Sequence, residues 1–111
     1  MKFDLIVIGN ELLNGKMRDL NVHFLAGELY KKNFELGRVH IIGDNEDQFL
    51  STIDLAKAGA ADVIITCGGL GPTKDDLTKV MLAKYFNKNI SYNEKAFKIV
   101  LSHYELSLIH I

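Results

Sequence analysis

Apolar residues fall along this chain in two rhythms. Three short runs, Phe3 to Ile8, Val39 to Ile42 and Asp62 to Cys67, are apolar almost throughout. Such runs predict strands buried on both faces, as in a parallel sheet. Elsewhere apolar positions recur every three or four residues: Val22, Leu25, Ala26, Leu29; Phe49, Ile53, Ala56; Leu77, Val80, Met81, Tyr85; and Ala96, Phe97, Val100, Leu101, Tyr104. These stripes predict helices that each bury one side. The punctuation agrees. Asn21 is the expected N-cap of the first helix, which runs to about Lys32 with Lys31 and Lys32 in its last turn. Gly37 then breaks the chain, Asp44 or Asn45 caps the second helix, and Gly59 ends it. The third helix runs to about Phe86, and the last starts from Asn93.

The order β-α-β-α-β-α predicts one α/β domain, a parallel sheet covered by helices, with no internal repeat or linker. Right-handed crossovers place the three strand-to-helix turns along one sheet edge. Ligands of such sheets sit off the carboxyl ends of the strands. Each turn carries glycine and acid: Gly9 with Glu11, Gly43 with Asp44, and Gly68, Gly69 and Gly71 with Asp75 and Asp76.

The stretch from Cys67 to Thr78 organises the rest. Three glycines within four residues let backbone N–H groups turn toward a ligand. The helix that follows adds positive potential, so the turn is a seat for phosphate, and the acids beside it suit a metal ion. Lys74 is a candidate phosphate contact. The loop fits neither the P-loop nor the Rossmann fingerprint, because Gly69-x-Gly71 stands alone and Thr73 occupies the position of a third glycine. Plainer roles stand beside these. Thr73 and Asp76 have capping-box spacing, Asp44 suits an N-cap, Glu11 a solvated loop acid and Lys74 a solvent-facing lysine. Cys67 reads as a small buried side chain and His40 as a core or edge residue.

Composition narrows the partners. With 111 residues, 13 basic and 14 acidic, the chain carries a net charge of −1, and no basic excess points to nucleic acid. The single cysteine cannot form an internal disulfide and fits a reducing compartment, so a cytoplasmic location is expected. The start, Met1-Lys2-Phe3-Asp4, reads as neither signal peptide nor membrane span. The histidines (His23, His40, His103, His110) show no metal spacing.

Gly68 through Thr78 resembles, at every fixed position, the pattern Gly-Gly-Leu-Gly-Pro-Thr-x-Asp-Asp-Leu-Thr. That pattern belongs to the CinA-type N-terminal domains, a branch of the molybdopterin-binding, MoaB/MogA-like fold. Ile8 to Gly15 is similar to that family's first turn, Asp19 to Ala26 to its helix entry, and Gly43-Asp44-Asn45 to its second acidic turn. The resemblance implies a three-layer α/β/α domain that binds a nucleotide-like or pterin-like phosphate ligand. It further implies hydrolysis of ADP-ribose to AMP and ribose 5-phosphate, dependent on a divalent ion such as Mg²⁺ or Co²⁺. By the same resemblance, Asp44 and Asp76 are the candidate catalytic acids. The metal set is Asp76, Asp44 and Asp75, and Gly68, Gly69, Leu70, Gly71, Thr73, Lys74, Asn10 and Glu11 contact the ligand. Homo-oligomers, dimers or trimers, are expected. The family's domain continues beyond the last helix, so residues 1–105 are expected to be a C-terminally incomplete domain and 106–111 an unmatched tail, from a truncated or misread reading frame. A non-catalytic binding module and an inactive fragment are the alternatives, and whether the chain is an enzyme is left open.

Overall fold

A computed structural model describes residues 1–109 apart from Pro72, Lys74 and Asp75, with side chains up to Ser102. Its elements are β1 (Lys2–Ile8), α1 (Asn10–Leu13), α2 (Asn21–Lys31), β2 (Glu35–Ile42), α3 (Glu46–Ala58), β3 (Val63–Cys67), α4 (Thr78–Tyr85) and α5 (Glu94–Ile109). The strands form one parallel sheet in the order β2-β1-β3. Among the described residues no helix is long and apolar enough to cross a membrane.

Central β1 explains the architecture. Leu5, Ile6, Val7 and Ile8 are all at most 2% exposed, so both faces and both edges of the strand are covered. Ile6 and Ile8 pack with Ile42, Phe49, Ile53, Ala56 and Met81, which puts α3 and α4 on one face. Side chains alternate along a strand, which leaves Leu5 and Val7 for the face of α2. The crossover from β1 to β2 runs one way along the sheet and that from β2 to β3 runs back. With a fixed hand of crossover, that reversal places α2 and α3 on opposite faces. Tyr85 Oη donates to Asp54 at 2.6 Å, and Lys84 pairs with Glu46, tying α4 to α3.

Five details depart from expectation, and the first is α5, whose predicted inner stripe of Ala96, Phe97, Val100 and Leu101 is exposed. Strand β2 begins at Glu35, and Gly37 lies within it as a bulge rather than a break. The register steps from Phe3↔Leu36 to Asp4↔Arg38, leaving Gly37 as the extra residue. The bulge brings Arg38 to the buried Asp4: its N–H donates to Oδ1 at 3.0 Å and its Nε lies 3.4 Å from Oδ2. Asn21 is the first residue of α2, not its cap; the carboxylate of Asp19 accepts from the N–H of Asn21 at 3.1 Å and of Val22 at 3.2 Å. Strand β3, expected to be buried on both faces, is half-buried throughout because it closes the sheet on its side. Finally, α4 starts at Thr78, so Asp76 precedes the helix instead of lying on it, and Val80 of the predicted apolar stripe is exposed.

Other expectations hold. Asn45 caps α3, accepting from Gln48 N at 2.9 Å; Gly59 closes that helix, and Asn93 accepts from Ala96 N at 2.8 Å at the head of α5. Because Phe49 is fully buried at the centre of the α3/α4 face, Phe49→Ala should lower unfolding stability by about 3–5 kcal/mol. The expected readout is a lower urea midpoint with little change in slope.

Candidate functional site

The three turns meet where the strand order reverses. In a 2-1-3 sheet the crevice lies between the carboxyl ends of β1 and β3. A cavity of about 210 Å³ opens there, lined by Val7 and Ile8 of β1 and by Gly68. Glu11 and Leu12 of α1 also line it, with Met17, Arg18, Asp19, Leu20 and Asn21 from the segment entering α2. Apolar walls with a few charged tips are the usual make-up of a small-molecule site.

The first and second turns are stitched together. Asn10 N donates to Asp44 Oδ2 at 3.2 Å, and Asp44 N donates to Asn10 Oδ1 at 3.0 Å. Asp44 therefore serves the start of α1, and capping of α3 falls to Asn45. Glu11 folds back over the turn: a methyl group added at Gly9 would stand 2.3 Å from its Oε1.

The glycine loop is held by its own flanks. Gly68 has φ of 97°, and a Cβ there would lie 2.1 Å from the carbonyl oxygen of Ile8, so only glycine lets β3 turn this close to β1. Gly69 has φ of 65° and sits equally close to Thr78 Oγ1. Thr78 Oγ1 donates to Gly68 O at 2.9 Å, and Thr78 N donates to Gly69 O at 3.2 Å. Further along, Asp76 Oδ2 accepts from Thr73 Oγ1 at 2.5 Å and from Thr73 N at 3.3 Å. The Thr73 hydroxyl, chiefly, holds the Asp76 carboxyl below its ordinary range; burial opposes it next, and the N–H groups of Thr73 and Gly71 and the charge of Lys79 each add a lesser lowering effect. This contact is one arm of a capping box, formed in a turn that precedes the helix.

The expected site residues thus fall into three groups. Glu11 and Gly68 face one cavity, Asn10 and Asp44 clasp each other, and Gly71, Thr73 and Asp76 form a buckle on the outer loop. Leu70 is 60% exposed. Lys74 and Asp75 lie outside the described residues. Among the described residues no three acid, histidine or cysteine side chains converge as a ready-made metal cage. Magnesium is commonly held by one or two carboxylates with substrate phosphates completing the shell, and in donor type Asp44 and Asp76 fit that mode. Cys67 is half-buried, and its thiol is pushed up first by burial and then by the charge of Asp19, as befits an unreactive side chain. Arg18 and Asp19 were not foreseen as cavity residues; they lie in a stretch with no periodic pattern.

Comparison with known proteins decides the family. The family described as "Probable molybdopterin binding domain" matches residues 4–109. The chain belongs to that family. It is a CinA-type, MoaB/MogA-like domain: a competence-damage inducible protein of Streptococcus pyogenes serotype M5 (strain Manfredo) is 44% identical over 96 residues. That match takes in 86% of this chain and 22% of the relative, so the chain spans under a quarter of the curated proteins it resembles. The CinA structure from Thermoplasma acidophilum superposes with a TM-score of 0.78 at 27% identity, over 94% of this chain and 61% of that one. The tungsten cofactor synthesizing protein MoaB from Pyrococcus furiosus superposes with a TM-score of 0.69 at 29% identity, over 81% of this chain and 56% of that one.

In this CinA-type domain the Asp76 buckle makes a testable statement about pH. A carboxyl depressed in the folded state stabilises fully above its unfolded value, near pH 4. The contribution is lost as pH falls through the lower, folded value. Carboxyl-carbon NMR should show Asp76 titrating below the ordinary aspartate range, and Thr73→Val should move it back toward that range.

Proposed function

We propose that this domain binds the phosphate of a nucleotide or pterin and, with a divalent ion, hydrolyses ADP-ribose to AMP and ribose 5-phosphate. The observation that carries the reading is a glycine bend, clasped by Thr78 and flanked by the Asp76 buckle, beside a cavity at the sheet's switch point. Main-chain amides at such a bend suit a phosphoryl group, and the apolar cavity walls suit a flat ring. In the reaction, water adds to one phosphorus, the bond from that phosphorus to the bridging oxygen breaks, and the bridging oxygen leaves with the other phosphate. Asp44 and Asp76 would hold Mg²⁺ or Co²⁺, which supplies charge neutralisation at the pyrophosphate. The residues of the chain itself orient and exclude: loop amides fix one phosphate, Glu11 bounds the cavity, and Asp44 is kept in place by Asn10.

A second reading is a binding module without turnover. It is favoured by the carboxylates themselves being engaged, Asp76 by the Thr73 hydroxyl and Asp44 by the N–H of Asn10. Incubation with ADP-ribose and Mg²⁺ or Co²⁺, followed by chromatography of nucleotides, separates the two. The hydrolase releases AMP, and Asp44→Asn lowers kcat by about 10²-fold, as expected for a metal or water-orienting group. Asp76→Asn keeps an acceptor for Thr73, so an equally large loss there points beyond the buckle. A binding module instead gains about 2.7 kcal/mol of stability at a hundredfold ligand excess over Kd and yields no AMP. Neither AMP nor stabilisation rejects both.

A further inference from the structure

Thr78 opens α4 and is only 1% exposed, and its hydroxyl and N–H both serve the glycine bend. Its hydroxyl takes the carbonyl of Gly68, and its N–H takes the carbonyl of Gly69. Two consecutive carbonyls are thereby turned toward one residue. In a trans peptide unit the C=O and N–H point in opposite directions. The unit joining Gly68 to Gly69 therefore sends the Gly69 N–H away from Thr78, and the next unit does the same with the N–H of Leu70. Among the described residues neither N–H donates to an acceptor. With both carbonyls drawn to Thr78, the two N–H groups share the other side of the bend, and successive N–H groups on one side of a turn form an anion-binding concavity.

We propose that Thr78 is the positioning residue of the phosphate seat, holding two carbonyls behind the bend so that the N–H groups of Gly69 and Leu70 meet the anion. This rests on the phosphate-binding function proposed above. It also explains the buried hydroxyl. A valine of the same shape fills the space but strands the Gly68 carbonyl and frees its peptide to rotate. Serine keeps the donor.

The test uses the whole 111-residue chain, labelled with ¹⁵N, as wild type, Thr78→Val and Thr78→Ser. Amide resonances are followed during titration with inorganic phosphate, and ADP-ribose affinity is measured by calorimetry. Phosphate should move the Gly69 and Leu70 amides in the wild type and in Thr78→Ser. In Thr78→Val those amides should be displaced before any ligand is added, with affinity for ADP-ribose reduced about tenfold, the worth of one charge-assisted hydrogen bond. Thr78→Ala carries the same expectation and replaces Thr78→Val if circular dichroism shows the latter unfolded. Unchanged amides and affinity without the hydroxyl would overturn the proposal, as would a serine variant as weak as the valine one. Displaced amides in Thr78→Val, with a wild type that takes neither phosphate nor ADP-ribose, would support the clasp and refute the function it serves.

Discussion

A strand apolar on both faces and unable to sit at an edge sets the terms for everything else in this domain. The segment Leu5–Ile8 has nowhere to expose either side chains or backbone, so it must take a neighbour on each edge and a helix layer on each face. Once β2 lies on one side and β3 on the other, the chain has to reverse its direction of travel across the sheet. The reversal leaves a gap at the carboxyl ends of β1 and β3 that no crossover helix covers. The cavity between Gly68 and Glu11 is that gap. Binding potential in this fold is thus a by-product of how a central strand is buried, and the particular chemistry comes from the turns that border the gap.

Those borders differ in how they are held. The first two turns are joined by a reciprocal pair of side-chain to backbone hydrogen bonds between Asn10 and Asp44, so neither can shift alone. The third is self-contained: Thr78 gathers one half of the bend and Asp76 the other. Asp76 consequently has two demands on it. Its carboxylate already satisfies Thr73, and any cation it accepts has to share the group with that hydroxyl.

Much of this was legible from residue order. The strand runs and the inner faces of α3 and α4 follow from periodicity because burial there is one-sided and regular: Phe49, Ile53, Ala56 and Met81 all lie in the core. The glycine-and-acid turns were readable because tight bends demand glycine. What escaped did so for physical reasons. Gly37 looks like a breaker, yet a bulge on an edge strand also needs a residue with little bulk, and charged Glu35 and Arg38 are tolerated at an edge. Asp19 and Asn21 are both good capping residues two positions apart, and spacing alone does not choose between them. The Thr73–Asp76 pair satisfies capping-box spacing within a turn that does not yet belong to the helix. Arg18 and Asp19 line the cavity from an irregular segment, where no repeat announces which way a side chain points.

The bulge at Gly37 has an evolutionary corollary. By inserting one residue it delivers Arg38 to an aspartate that is 1% exposed in the middle of the sheet. A charge so deep is tolerable only with its counter-charge, so neither position can drift by itself. Homologues should carry the acid, the extra residue and the guanidinium together or lose all three at once, trading the trio for an uninterrupted apolar ladder.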